Sequence, residues 1–348
     1  MQLWGCESMS TTPQDAVCRW LEENLNWSGV QFLGPLSGGN SNLTWHFSSH
    51  EQSCVVRTTP DEAISPNSAR GIERESKVLK LVQGVVKAPK LLAWCEDLNV
   101  MGRSFLVQEW IDGRSVTETL PNPDWDPISA ANALGEDMMR QLSDVHSIAW
   151  PNEDLSTLGR PDNFVSRQVE RWIAVRKDQS VRELPLFFEL GSWLQSNMPE
   201  TERPALIHGD YHLDNTLVST ETPEIKAIID WELATVGDPA MDVALALLFW
   251  GDKRASKPPA FSHLQGISRV TGVVDRRHLA AVWSEATGRS TDAMGYYIAL
   301  AAWRLAAIIE GAYGLYVQGK VDTPYAAGLE HDVPALLAEA EQAAAGNW

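Results

Sequence analysis

The sequence predicts an α+β chain in two parts, a sheet-rich first third and a larger helical remainder. Before Gly113, short apolar runs rich in β-branched and aromatic residues alternate with turn residues, the signature of strands. After it, apolar residues recur every three to four positions, the signature of helices. That helical pattern breaks once, where brief apolar strands bracket the polar segment from His208 to Glu232.

In chain order, Thr11-Thr12-Pro13 is a start signal for a helix over Gln14–Leu25. Strands follow at Val30–Leu36, Leu43–Phe47 and Ser53–Arg57, with Ser37-Gly38-Gly39-Asn40-Ser41 turning between the first two. A helix is expected over Ser68–Val82, then strands near Leu91–Trp94 and Ser104–Trp110. Beyond Ile111-Asp112-Gly113 the spacing predicts helices at Ile128–Ile148, Phe164–Val175 and Leu184–Ser196. Strands Ala205–Ile207, Thr216–Val218 and Ile225–Ile229 come next. Helices at Met241–Phe249, Arg276–Glu285, Ala293–Ala312 and Pro334–Ala344 complete the chain, and the two parts divide as 1–110 and 111–348.

Composition excludes some functions. The formal net charge is −18, which argues against nucleic acid, whose phosphates need Lys and Arg to displace their counterions. Cys6, Cys18, Cys54 and Cys95 are widely spaced and contain no C-x-x-C pair, so neither a zinc site nor a disulfide framework is expected. The opening residues Met1–Glu7 carry neither a basic segment nor a long apolar run, so no signal peptide is expected. Ala244–Trp250 is too short to cross a membrane and Tyr297–Ile309 carries Arg304, so a cytoplasmic protein is expected, without a membrane partner. Monomer and homodimer stay open.

The strongest chemical signal is His208-Gly209-Asp210-Tyr211-His212-Leu213-Asp214-Asn215. A carboxylate such as Asp210 can orient a hydroxyl and accept its proton, and Asn215 offers a neutral oxygen to a hard cation such as Mg²⁺. Asp230 ends the apolar run Ala227-Ile228-Ile229, 20 positions after Asp210 (230 − 210), and supplies a second carboxylate oxygen. Gly237-Asp238-Pro239-Ala240-Met241-Asp242 follows, with Pro239 suited to a helix's first turn. His-Gly-Asp alone is as often a capped turn; the joint pattern carries the reading.

These motifs, H-G-D-x-x-x-x-N followed by I-D-W-E and G-D-P-x-x-D, resemble the aminoglycoside phosphotransferase and choline kinase group, a branch of the protein-kinase-like fold. More closely, the chain resembles the phosphotransferase-like domain joined to acyl-CoA dehydrogenases and its free-standing bacterial relatives, over nearly the whole sequence. The resemblance implies a bilobal fold, with 1–110 a nucleotide-binding lobe built on a small antiparallel sheet and 111–348 a catalytic, substrate-binding helical lobe. It implies ATP as cofactor, GTP not excluded, together with Mg²⁺. Asp210 would be the catalytic base and Asn215 and Asp230 the metal ligands. His208 would hold the loop, Asp242 brace it, and Asp238 set the turn before its helix. Ser37, Gly38, Gly39, Asn40 and Ser41 would cover the phosphates. Arg57, in Val55-Val56-Arg57-Thr58, occupies the place of the phosphate-pairing lysine, and its guanidinium can pair oxygens bidentately. Its ion-pair partner would be Glu75, with Glu73 as the fallback. The backbone near Gln108, Glu109 and Trp110 would meet the adenine edge.

The resemblance implies a small-molecule hydroxyl as the acceptor. Candidate contacts are Tyr211, Asp214, Trp231, Tyr296, Trp303 and Arg304, each of which has packing as its alternative role. An aminoglycoside site needs a dense carboxylate cluster, but Arg276, Arg277, Arg289 and Arg304 are spread through the last third. The resemblance points instead to a hydroxyacid or hydroxyacyl-CoA. Two alternatives stand beside it: an aminoglycoside or other antibiotic kinase, and a catalytically silent nucleotide-binding regulator (a pseudokinase).

Overall fold

A computed structural model describes residues 12–36, 42–60, 68–201, 203–251 and 264–348. The chain forms two compact units: residues 1–81 with 89–111, and residues 82–88 with 112–348.

The first unit is a five-stranded antiparallel sheet with helices. Helix α1 (Pro13–Leu25) starts with a capping box: the Thr12 hydroxyl accepts the Asp15 N–H at 3.2 Å while Asp15 Oδ2 accepts the Thr12 N–H at 3.2 Å. Val17 and Leu21, one turn apart, put their buried faces on the sheet core of Trp45, Phe47, Cys54, Val56, Phe105 and Val107. The strands are β1 (Gln31–Pro35), β2 (Leu43–Ser48), β3 (Ser53–Thr58), β4 (Leu91–Cys95) and β5 (Phe105–Glu109), in the order β1-β2-β3-β5-β4. Strand β3 is central, so Arg57 lies between Thr44 and Leu106. Helix α2 (Ser68–Val82) follows the predicted bounds and turns Ile72, Glu75 and Leu79 inward. A short helix, α3 (Leu98–Met101), has no signal in the spacing and rests on the Asp97 cap.

The second unit is mainly helical. Helix α4 (Pro127–Ser147) is capped by Asp126, with Pro127 in the first turn, and buries Ala131, Leu134, Met138, Leu142 and Val145 along one stripe. Helices α5 (Glu153–Ser156), α6 (Phe164–Gln179) and α7 (Pro185–Ser196) follow. Two small antiparallel pairs then form: β6 (Ala205–Ile207) with β9 (Thr235–Gly237), and β7 (Thr216–Val218) with β8 (Ile225–Ile228). The remaining helices are α8 (Ala240–Phe249), α9 (Arg276–Thr287), α10 (Met294–Val317) and α11 (Pro324–Ala344). Helix α10 is long and apolar enough to cross a membrane by length and composition, but it is largely buried and packs on α8 and α11 as a core helix.

Helix α11 corrects one expectation. It begins ten residues before Pro334, at a Thr323 cap with Pro324 in the first turn, and carries Pro334 in its interior.

Candidate active site

The loop after β6 runs His208-Gly209-Asp210, and Gly209 has φ +85°. A Cβ there would lie 2.6 Å from the Leu233 carbonyl oxygen, so two backbones approach closely and only glycine fits. Asp242, on the first turn of α8, clamps this loop. Its Oδ2 accepts the His208 N–H at 2.6 Å and its Oδ1 the Gly209 N–H at 2.9 Å. His146 of α4 faces Oδ2 as a third partner, at 3.4 Å. Burial alone would raise the Asp242 pKa; His146 and these amides outweigh it and hold the carboxyl below its ordinary range. The His208 ring is fully buried, with Nε2 2.9 Å from the Ile229 carbonyl.

Asp210 follows the clamp with its side chain 44% exposed, the accessible carboxylate of the loop. Asn215 Nδ2 donates to the Asp210 carbonyl at 2.8 Å and to its Oδ2 at 3.2 Å, which anchors the amide nitrogen. The Ile229 N–H donates to the Asn215 carbonyl at 3.0 Å, and this bond sets Asp230 beside Asn215 at the end of β8. Asp230 is in the left-handed region, at φ +66°. Asn215 and Asp230 bring an amide oxygen and a carboxylate, oxygen donors of the kind Mg²⁺ accepts when phosphate and water complete its shell.

His212 lies among these groups. Its Nδ1 is 3.2 Å from Asp214 Oδ2, and its Nε2 is 3.2 Å from Asn215 Nδ2 and 3.9 Å from Asp210 Oδ2. Burial works against its charge, but the Asp214 hydrogen bond and the carboxylates of Asp210 and Asp230 lift its pKa above the ordinary imidazole value.

A cavity of about 230 Å³ opens at Asp210. Its polar groups include Asp210 and Arg304, and its walls are largely apolar, among them Leu245 of α8 and Leu300, Leu305 and Ile308 of α10. Burial pulls the Arg304 pKa below the usual guanidinium value, and the charges of Asp210 and Asp242 oppose that shift. The apolar liners carry no motif. Their signal is the spacing 300, 301, 305, 308 on one helix face.

The other expected acceptor contacts belong to the core. The Tyr211 hydroxyl donates to the Met138 carbonyl at 2.8 Å and that of Tyr296 to Leu194 at 3.0 Å. The indoles of Trp231 and Trp303 donate to the carbonyls of Ile228 and Phe187. All four side chains are buried, and burial raises the pKa of both phenols. Asp214 Oδ2 is taken up by His212 and the Gln265 N–H. Asp238, in the turn before α8, accepts the Ala240 N–H and the hydroxyls of Thr201 and Tyr297.

In the first unit, Arg57 Nε meets Glu75 Oε2 at 3.2 Å, with both side chains under 10% exposed. Gln108 lies within the sheet between Val55 and Leu91. Trp110, just past the end of β5, stacks flat on His46 with centroids 3.9 Å apart. Ser37, Gly38, Gly39, Asn40 and Ser41 lie outside the described residues.

Comparison with known proteins adds a family. Residues 33–265 match the model of a phosphotransferase enzyme family. Acyl-CoA dehydrogenase family member 10 of Mus musculus is 30% identical over 322 residues, which cover 89% of this chain and 29% of that protein. The chain thus spans under a third of that relative's length. A crystal structure of a candidate aminoglycoside phosphotransferase from Ralstonia eutropha is 26% identical, with a TM-score of 0.80 over 94% of this chain and 97% of that one. The GDP complex of aminoglycoside 2'-phosphotransferase-IIIa, at 17% identity and TM-score 0.61 over 96% and 99% of the two chains, shares the fold. The α+β architecture is therefore kinase-like.

Proposed function

The chain belongs to the phosphotransferase enzyme family, and on that premise we propose that it is a small-molecule kinase transferring the γ-phosphoryl of ATP or GTP to a hydroxyl. The observation that carries the reading is Asp210: an accessible carboxylate on a clamped loop, opening onto a cavity, with the Asn215 amide hydrogen-bonded to it.

Asp210 would take the acceptor's hydroxyl proton as its oxygen attacks the γ-phosphorus in line and the bond to the β-γ bridging oxygen breaks. Asn215 and Asp230 would hold Mg²⁺, which when bound neutralises charge on the phosphate oxygens. Arg57, fixed by Glu75, would pair phosphate oxygens, with the Ser37–Ser41 loop covering them and the Trp110 backbone meeting the base. We assign 1–110 to nucleotide binding and 111–348 to catalysis and acceptor binding, in a cytoplasmic protein.

The cavity supports a hydroxyacid or hydroxyacyl thioester as acceptor. Arg304 supplies a cation for an anionic group, and the aliphatic walls suit a carbon chain. A polycationic aminosugar would meet Arg304 and a single accessible carboxylate, because both Asp242 oxygens are already engaged.

The test is ADP or GDP release with Mg²⁺ and each nucleotide, across hydroxyacids, hydroxyacyl thioesters and aminoglycosides. Turnover is expected with the first two classes, and Asp210→Asn should lower kcat by roughly 10²–10⁴. Silence with every acceptor, or an Asp210→Asn variant as fast as wild type, defeats the proposal.

A further inference from the structure

Three side chains from separate parts of the chain form a buried line behind the catalytic loop. Trp283 of α9 donates its indole N–H to His146 Nδ1 at 3.0 Å. His146 Nε2 faces Asp242 Oδ2 at 3.4 Å. Asp242 in turn accepts the amides of His208 and Gly209, the two residues before Asp210. All three side chains are fully or almost fully buried.

The direction of this line follows from the donors alone. An indole nitrogen only donates, so His146 Nδ1 must be the acceptor and carry no proton. A neutral imidazole has one N–H, which is then on Nε2 and points at Asp242. Trp283 thereby selects the tautomer, and the tautomer supplies Asp242 with its third donor. The opposite tautomer would set two N–H groups against each other at Trp283 and aim a lone pair at a carboxylate. Burial favours the neutral ring, which is consistent with this assignment.

A carboxylate oxygen that accepts two donors is fixed in rotation, and here the fixed oxygen is the one bonded to His208. Free rotation of Asp242 would release Gly209 from a backbone conformation that non-glycine residues rarely adopt. Holding that conformation keeps Asp210, the next residue, in the cavity wall.

We propose that His146, set in its Nε2–H tautomer by Trp283, is a positioning residue for phosphoryl transfer: it fixes Asp242 and through it the loop that presents Asp210. The catalytic half of this proposal rests on the kinase reading above; the structural half does not.

The experiment therefore reads both halves in the full-length protein. Hydrogen exchange is measured at the His208 and Gly209 amides in wild type, His146→Phe, His146→Gln and Trp283→Phe, alongside kcat and KM for nucleotide. Phenylalanine keeps the ring packing and removes both ring nitrogens, while glutamine restores an N–H donor toward Asp242. In His146→Phe, exchange at the two amides should quicken about tenfold, the scale of one lost hydrogen bond. Its kcat should fall roughly 10- to 100-fold with nucleotide KM held within about twofold, as expected when geometry at the reacting group is loosened. His146→Gln should recover both to within about threefold of wild type, and Trp283→Phe should fall between.

Exchange unchanged in His146→Phe, or equal losses in the Phe and Gln variants that track melting temperature alone, overturns the relay. Should His146→Phe not fold, unaltered exchange and kcat in Trp283→Phe overturn it instead. If wild-type protein phosphorylates nothing, the kinase reading fails while the exchange comparison still decides whether the relay exists.

Discussion

Replacing Asp242 by asparagine tests how firmly the loop is clamped. The native carboxylate accepts the His208 N–H at 2.6 Å, the Gly209 N–H at 2.9 Å and His146 at 3.4 Å, with no exposure to water that could substitute for them. An asparagine amide keeps one acceptor oxygen. Turned toward Gly209, it sets its own NH₂ against the His208 N–H; turned toward His208, it sets NH₂ against Gly209. Either way one buried backbone donor loses its partner, at a cost of about 1–3 kcal/mol. The surviving bonds also lose their charge-assisted part, about 1 kcal/mol more. A total of roughly 2–4 kcal/mol in a unit the size of the larger one, residues 82–88 with 112–348, lowers its transition by roughly 5–15 °C. Differential scanning calorimetry of the full chain measures this. A transition within about 2 °C of wild type would show that the clamp bears little energy and refute the reasoning.

Three further outcomes are expected. Gly209→Ala requires a left-handed alanine, costing about 1–2 kcal/mol, and pushes a Cβ to 2.6 Å from the Leu233 carbonyl; kcat should drop at least about tenfold because Asp210 is the next residue, read by steady-state kinetics. Glu75→Gln removes one member of the buried pair with Arg57 and should destabilise by about 3 kcal/mol, with part of the loss recovered when Arg57→Met is added, read by chemical denaturation. Acid stability should depend on His146. Its pKa is depressed by burial, against the pull of Asp242, while Asp238 and Arg289 act more weakly. The unfolded chain therefore binds more protons, and this contribution is present above about pH 6.5 and lost as pH falls through the folded value. His212, whose pKa is raised, contributes with the opposite sign. The diagnostic is thus the difference between wild type and His146→Gln, which should shrink as pH falls from about 7 to 5.

Legibility in the sequence followed the range of the forces involved. Ala205–Ile207 and Thr216–Val218 were readable to the residue because short β-prone runs are bounded by Pro204 and His208 and by Asn215 and Ser219. That Asp210 and Asn215 share one loop was readable, because five positions let the amide reach back to Asp210, as its hydrogen bonds show. Pro334 misled because proline favours a helix's first turn; the stronger pair, Thr323 followed by Pro324, was ten residues upstream. Tyr211, Trp231, Tyr296 and Trp303 were placed at a pocket because an aromatic ring with a polar tip suits either setting. Which carbonyl receives that tip, Met138 or Phe187 for example, depends on partners 73 or 116 residues away. The His146–Trp283 bond spans 137 residues and has no local trace at all.

Lys87 carries a consequence for how the molecule can be taken apart. Its ammonium donates to the Ile225 carbonyl and its own carbonyl accepts the Ile228 N–H, so a few residues that precede β4 complete the edge of the β7–β8 pair. A chain begun at Asp112 would expose that edge as an open strand, the kind that recruits other chains. During synthesis the same residues must wait for partners 138 positions downstream. The entropy of closing so long a loop grows only as the logarithm of its length, but the wait is real, and the larger unit completes itself only after most of the chain exists.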